Sequence, residues 1–234
     1  MSAAEVKREL DALADQEQAV TFQRFFKTGP GEYGEGDVFA GVMVPQQRRI
    51  AKRHRELPLD QIDGLLASEI HEHRSTGLMI LTLQAERADL AGKKQRYNFY
   101  LSRTERVNNW DLVDLSCREV VGSYLLAKDT WTPLRKLAGS ELLWDRRIAM
   151  VSTWTFIREG QLAPTFALAE QLLDDEHDLM HKAVGWMLRE AGKKNQPALE
   201  EFLDLHAAQL PRTALRYSIE RLTPERRAYW RAKR

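Results

Sequence analysis

The sequence lacks several features that would assign it to a class at once. Its 234 residues include one cysteine, Cys117, which excludes an intrachain disulfide framework and a cysteine-based zinc site. No apolar run reaches the roughly 18 residues that a membrane-spanning helix needs. Residues 1–10 are charged and polar, so we expect no secretory signal. These absences predict a soluble protein of the reducing cytoplasm.

Strand patterns and phosphate-binding loops are also missing. No stretch alternates apolar and polar residues for long enough to predict a β-strand. The glycine-rich segment 28–44 lacks the Gly-Lys-Ser/Thr ending of a phosphate-binding loop. It also carries Glu32, Glu35 and Asp37, which would repel phosphate. We therefore interpret this segment as a structural turn.

Recognisable catalytic and metal-binding patterns are absent as well. No Ser-His-Asp or Cys-His spacing indicates a nucleophilic site. His177 and His181 lie four residues apart, a spacing that could hold a metal, but no glutamate motif accompanies them. We expect neither a metal nor a cofactor.

Charge of one sign is not in large excess over the whole chain, which has a formal net charge of +1. The segment 181–234 nevertheless contains 12 Lys and Arg residues against 6 Asp and Glu. Such a local surplus is typical of a patch for an anionic partner. Charge alone leaves a solvated surface without a partner equally open.

What the sequence has in abundance is helical periodicity. Apolar residues recur at spacings of three and four, and short connections carry Gly, Pro, Asn or Asp. Pro45 is expected to open a helix, a position that tolerates proline. The other predicted helices are 3–27, 59–71, 77–91, 93–106, 110–126, 131–138, 141–158, 164–173, 178–194, 197–208 and 213–222.

A weak internal repeat organises these helices. Trp110-Asp111 recurs as Trp144-Asp145 after 34 residues, and Leu179-Met180 takes the same place 35 residues further on. Helix pairs at this period are typical of an α-solenoid. The anchor residues of tetratricopeptide repeats are missing, which favours HEAT-like pairs. We predict a single all-α domain over 1–234 that forms a curved superhelix.

In such a superhelix the second helices of successive pairs line the concave side. Trp110 and Asp114 are four apart and share a helical face. Asp114 also has a plainer interpretation as a capping or ion-pairing residue, and Trp186 as a core residue. Arg146 and Arg147 could simply form surface ion pairs. The residues expected on the concave face are Trp110, Asp114, Arg147, Lys182 and Trp186.

Several segments of the chain resemble the AlkD-like family of bacterial DNA glycosylases, which are built from HEAT-like repeats. The resemblance covers roughly residues 22–222. The segment 182–190 is the most specific part of it. The segments that carry the resemblance are 39–42 followed by Pro45 and Arg48-Arg49, then 109–114, 144–147 and 182–190.

The resemblance implies an enzyme whose concave face binds duplex DNA, and a monomer would fit such a groove binder. It implies excision of positively charged alkylated purines, N3-methyladenine and N7-methylguanine. Trp110 and Trp186 match the two active-site tryptophans, and Asp114 matches the catalytic aspartate. Arg147 matches an arginine that meets the DNA backbone. The other expected DNA-binding residues are Lys182, Arg146, Arg189, Arg48 and Arg49.

The expected chemistry suits these residue types. A cationic base is already a good leaving group, so a general acid is not needed. Cleavage of the glycosidic bond builds positive charge on the sugar, which Asp114 would stabilise while positioning the attacking water. No lysine replaces the carboxylate as a nucleophile, and we expect no lyase activity. Met43 and Phe25 depart from one well-known member, which has glutamine and tyrosine there.

Two other functions remain open from the sequence. A non-catalytic HEAT-repeat protein could bind distorted or damaged DNA by its shape, and the family includes a branch thought to have lost glycosylase activity. A protein-interaction scaffold is the second alternative. DNA binding weakens steeply as salt rises, whereas the scaffold predicts little salt dependence.

Overall fold

The computed structural model describes residues 1–233, which are mostly α-helical. Within this range there is no β-strand, and one isolated parallel bridge joins Val38 to Ile70. None of the helices in this range is both long and apolar enough to cross a membrane. The α-helices are α1 (Ala3–Asp11), α2 (Gln16–Phe25), α3 (Val44–Arg53), α4 (Leu59–Leu66), α5 (His71–Arg87), α6 (Leu90–Leu101), α7 (Trp110–Cys117), α8 (Ser123–Ala127), α9 (Thr132–Ala138), α10 (Leu143–Arg158), α11 (Ala163–Gln171), α12 (Asp178–Lys194), α13 (Gln196–His206), α14 (Arg212–Ser218) and α15 (Pro224–Ala232).

The helices form two compact units, an N-terminal unit (Met1–Val120) and a C-terminal unit from Val121 onward. In the N-terminal unit α3, α4 and α7 pack against the long helix α5. In the C-terminal unit α9 and α11 pack on α10, α10 packs on α12, and α12 packs on α14. The all-α, helical-repeat fold is thereby confirmed. The single domain over 1–234 and the curved superhelix stay predictions.

The repeat markers fall at corresponding places in three helices. Trp110 is the first residue of α7, and Trp144 and Leu179 are the second residues of α10 and α12. Trp144 is buried. The repeat in the sequence therefore marks the start of the second helix in each helix pair.

The prediction of one helix over 3–27 is wrong, because α1 and α2 are separate helices. The side chain of Asp15 accepts a hydrogen bond from the backbone N–H of Gln18 (3.0 Å) and so caps α2. The backbone N–H of Asp15 donates to the carbonyl of Ala40 (2.9 Å). An aspartate with such partners begins a new helix, and α1 has already ended at Asp11.

The predicted break between a helix ending at His71 and one beginning at Gly77 is also wrong. Residues 71–76 are polar, yet all six are buried in the first turns of α5. The four charged or ionisable ones, His71, Glu72, His73 and Arg74, have polar partners in other segments. Periodicity treats a polar run as exposed, so it cannot detect a buried polar one.

Two further differences lie near the end of each unit. The predicted helix 110–126 is interrupted by a π-helical segment, Arg118–Gly122, for which we find no sequence signal. The helix α15 was not predicted, because the segment after Leu222 is dominated by charge. Trp230 supplies its core contact, since this side chain is fully buried.

Gly185 allows α12 and α14 to approach closely. A Cβ atom at this position would lie 2.5 Å from the carbonyl oxygen of Ala214 and 2.6 Å from the Cβ atom of Tyr217. Both distances are shorter than van der Waals contact, and backbone cannot move aside as a flexible side chain can. Gly185 is therefore required by packing.

We expect Gly185→Ala to lower the free energy of unfolding by about 1–3 kcal/mol, the usual effect of overpacking. Urea denaturation followed by circular dichroism measures it. Gly139→Ala is the matched control, because its nearest neighbour would lie at an ordinary 3.7 Å. Equal stability of the two variants would contradict the close helix contact.

Candidate nucleic-acid interface

The start of α7 is held rigidly in the N-terminal unit. The side-chain oxygen of Asn109 accepts a hydrogen bond from the backbone N–H of Trp110 (2.8 Å) and caps the helix. The amide of Asn109, itself fully buried, donates to Asp37 Oδ2 (3.1 Å). This anchoring fixes the direction in which Trp110 and the residues after it project.

Trp110 and Asp114 lie one turn apart on α7, and both side chains are half-buried. The helical spacing puts them on the same face. Neither is sealed in the core, so both can meet a ligand. The structure thus brings together two of the residues that the sequence singles out.

Trp110 belongs to an aromatic cluster formed with phenylalanines of α2 and the following loop. Its indole stacks on the ring of Phe26, with centroids 5.4 Å apart, and meets the ring of Phe25 edge-on at 6.0 Å. Phe25, one of the two departures from a well-known member of the family that the chain resembles, is 62% exposed. The cluster consists of Phe22, Phe25, Phe26, Phe39 and Trp110.

Beneath the aromatic cluster lies a buried ionic network centred on His71. Its Nδ1 atom lies 3.2 Å from Asp37 Oδ2, and its Nε2 atom lies 2.8 Å from Asp111 Oδ2. Arg74 donates to the other oxygen of Asp37. The ring of His71 stacks on Phe39 with centroids 4.4 Å apart. The network ties the glycine-rich loop and α5 to the first turn of α7.

These contacts set the charge of the network. Burial disfavours a charged imidazole, but the carboxylates of Asp111 and Asp37 outweigh it and raise the pKa of His71 to about 9. Burial also opposes ionisation of Asp37, but hydrogen bonding to His71 and the charge of Arg74 keep the pKa of that carboxyl below its usual range. At neutral pH His71 is therefore protonated while the Asp37 carboxyl is ionised.

The sequence reasoning missed this network. Its only signal was the unusual polar run at the start of α5, and its partners lie 34 and 40 residues away from His71. In the glycine-rich loop, the backbone N–H groups of Ala40, Gly41 and Val42 all donate to the buried carboxylate of Glu72. The Glu72 carboxylate therefore already accepts from the backbone N–H groups that a phosphate bound to this loop would need.

The arginines of α3 are exposed in the same unit. Arg48 and Arg49 make no ion pair within the residues that the structure describes. Arg48 lines a groove of about 260 Å³ together with Lys52 and Arg118, and Leu115 of α7 is also part of the lining. The groove also contains Glu86 and Glu119, so its charge is mixed.

In the C-terminal unit Arg147 is buried between α10 and α12. Its Nη1 atom donates to the carbonyl oxygen of Leu179 at 2.7 Å, and 5% of the residue is exposed. Trp186 is half-buried on α12. The side chain of Arg147 therefore contacts α12, the helix that carries Lys182 and Trp186. A phosphate contact by Arg147 stays a prediction.

Two of the arginines expected to bind DNA are engaged within the chain. Arg146 forms an ion pair with Asp175 (2.6 Å) and donates to two backbone carbonyl groups. Arg189 pairs with Glu220 and lies next to Glu190. A phosphate would have to compete with these partners, so their DNA-binding role stays a prediction.

Lys182 and the two histidines of this unit differ in how strongly they are held. Lys182 pairs with Asp178 at 2.7 Å, but both side chains are largely exposed, and such pairs contribute little. His177 caps α12 by accepting from the N–H of Leu179, and His181 bonds to the carbonyl of Asp175. Lys182 is thus more available to a phosphate than Arg146 or Arg189.

Comparison with known proteins places the chain in a family. Residues 6–222 match the family model described as DNA alkylation repair enzyme. No curated protein matches the chain. A solved structure described as a predicted DNA alkylation repair enzyme from Enterococcus faecalis shares the fold, with a TM-score of 0.70 and 21% identity over 90% of this chain and 97% of that chain. The chain therefore belongs to the DNA alkylation repair enzyme family.

Proposed function

We propose that the protein is a monofunctional DNA glycosylase that excises positively charged alkylated purines from duplex DNA. The observation that carries this proposal is α7, where a half-buried tryptophan and a half-buried aspartate, Trp110 and Asp114, lie one turn apart. Both lie within the residues matched by the family model.

The aspartate is the group that acts on the sugar. An alkylated purine such as N7-methylguanine leaves as a neutral base, taking the electron pair of the glycosidic bond. The deoxyribose is left with positive charge, which a carboxylate stabilises best where water is partly excluded. Asp114 supplies this carboxylate and orients the water that adds to the sugar.

The aromatic cluster holds the cationic nucleotide. The face of an indole attracts a cation by roughly 0.5–2 kcal/mol, and Trp110 is already fixed by stacking on Phe26. The exposed ring of Phe25 adds apolar surface beside it. We assign Trp186 the second indole role that the family resemblance implies.

Phosphate contacts supply most of the affinity for duplex DNA and set its register. We assign them to Lys182 and to Arg48 and Arg49, whose side chains are accessible. Arg147 is buried, and it contributes by holding α12 in place through its hydrogen bond to the carbonyl oxygen of Leu179. Arg146 and Arg189 contribute where DNA displaces their carboxylate partners.

A substrate panel tests the proposal. Purified protein is incubated with duplexes that carry N7-methylguanine, N3-methyladenine, uracil or hypoxanthine, and released bases are separated by chromatography. We expect release of the two cationic bases and none of the neutral ones, because a cationic base is a good leaving group without protonation by a general acid. Release of neutral bases at equal rates would contradict the role of lesion charge.

The alternative of a non-catalytic DNA-binding protein has a different outcome in the same panel. It predicts tight binding to a duplex with an abasic analogue and no free base from any substrate. If the protein is instead a protein-interaction scaffold, we expect it to bind neither the lesion duplexes nor the duplex with the abasic analogue.

A further inference from the structure

Three arginines of the C-terminal unit converge on one groove. Arg212 and Arg216 of α14 and Arg231 of α15 line a groove of about 240 Å³, with Thr213 and Leu215 between them. No acidic residue lines it among the described residues. We propose that this arginine groove binds the phosphodiester backbone of duplex DNA, an inference that rests on the proposed function for the identity of its ligand.

The groove arginines differ from the basic residues around them. Arg226 pairs with Glu200, and Lys233 pairs with Asp204. Within residues 1–233, the groove arginines form no ion pair. Internal carboxylates therefore neutralise Arg226 and Lys233 but not the three groove arginines, which remain available to an external anion.

A backbone contact links two of the three groove residues. Arg212 Nη1 donates to the carbonyl oxygen of Arg231 at 3.2 Å, which joins α14 to the last turn of α15. Trp230, fully buried, anchors that turn in the core. Like charges repel, so three guanidinium groups that line one groove are favoured when an anion lies among them.

The chemistry of the groove fits phosphate. A guanidinium group presents a planar fork of donors that matches two oxygens of a phosphate. All three arginines are exposed, so binding would not require an internal ion pair to break. Successive phosphates of a duplex strand would satisfy several such forks at once.

The groove adjoins the helix with the other candidate DNA ligands of this unit. Asp178 pairs with Lys182, and Lys182, together with Thr213 in the groove lining, lowers the pKa of the Asp178 carboxyl. At Gly185, next to Trp186, α12 touches the backbone of α14. A strand held by Lys182 could therefore continue into the arginine groove.

Arg231 lies beyond residue 222, where the family match ends. The groove is thus completed by a helix, α15, that the family model does not include. We infer that α15 extends the DNA contact of this chain beyond the part it shares with the family.

The test measures affinity for an undamaged duplex by fluorescence anisotropy over a range of salt concentrations. The variant Arg212→Gln/Arg216→Gln/Arg231→Gln is compared with Lys128→Gln/Arg135→Gln/Lys136→Gln. The control removes the same charge from exposed residues of the same unit, which lie at the end of α8 and on α9. Circular dichroism confirms that both variants fold.

Each phosphate contact contributes about 0.9 to the slope of log Kobs against log salt. We expect the groove variant to lose roughly two to three from this slope and roughly 10- to 100-fold in affinity at low salt, and the control to change little. Equal slopes for the two variants would overturn the proposal. So would millimolar binding of inorganic phosphate that the groove variant abolishes while its duplex affinity stays normal.

This test does not depend on catalysis. Failure of base release with a normal groove effect would reject the glycosylase and keep the groove. Base release with no groove effect would reject the groove and keep the glycosylase.

Discussion

Asp114→Asn is expected to slow the release of N7-methylguanine by at least about 100-fold while duplex affinity changes by no more than about threefold. Removing one electrostatic contributor to a transition state commonly costs about 100- to 1,000-fold in rate. Asparagine has nearly the same shape as aspartate but cannot offset the positive charge that forms on deoxyribose. DNA affinity depends mainly on the backbone phosphates, so it should be little affected.

The measurement is a single-turnover assay with saturating protein and a duplex that carries one lesion. Asp60→Asn is the matched control, since it removes a carboxylate from an exposed position of α4 and should release base at the wild-type rate. Equal rates for wild type and Asp114→Asn would remove Asp114 from the mechanism.

The second large effect concerns the pH dependence of stability through His71. With a pKa of about 9 in the folded protein against an ordinary 6.5, His71 keeps its proton between these values while the unfolded chain releases it. Its stabilising contribution is therefore complete below pH 6.5 and is lost as pH rises through 9. The slope approaches about 1.4 kcal/mol per pH unit, and the total is about 3 kcal/mol.

Urea denaturation at several pH values between 6 and 10 measures this effect. His71→Gln cannot carry the proton and leaves Asp37 and Asp111 without a cationic partner between them. We expect it to be less stable by about 3–5 kcal/mol near neutral pH, as when one partner of a buried ion pair is removed. Subtracting its pH profile from that of wild type isolates His71, and parallel profiles would contradict a charged histidine in the core.

The sequence was sufficient to predict the second helix of each C-terminal pair. The predicted span of α12 agrees with the structure at both ends, because His177 caps it and Asn195 follows it. The helix bounds in the N-terminal part of the chain were harder to predict. Asp15 starts α2 while its backbone N–H donates to Ala40, and local periodicity carries no information about such a distant partner.

At the candidate site, too, features set by neighbouring residues could be predicted, whereas contacts between distant segments could not. Placing Trp110 and Asp114 on one face required only helical spacing. The network around His71 could not be predicted, because its carboxylates come from a loop and from another helix. Phosphate-binding and internally paired arginines also look alike in sequence, and Arg146 is distinguished only by Asp175, 29 residues away.

The arginine groove was partly visible as a basic surplus at the C-terminal end. The surplus could not show which cations are neutralised, since Arg226 meets Glu200 only after α13 and α15 have packed. Pairing across helices, rather than net charge, decides which side chains remain for DNA.

The most direct test of the account is product analysis by mass spectrometry, with excess protein and a duplex that carries a single N7-methylguanine. We predict free 7-methylguanine and an unbroken strand with an abasic site, formed by wild type and strongly reduced for Asp114→Asn. Recovery of the methylated strand unchanged, under conditions where the protein binds that duplex fully, would contradict the assignment of base excision to this chain.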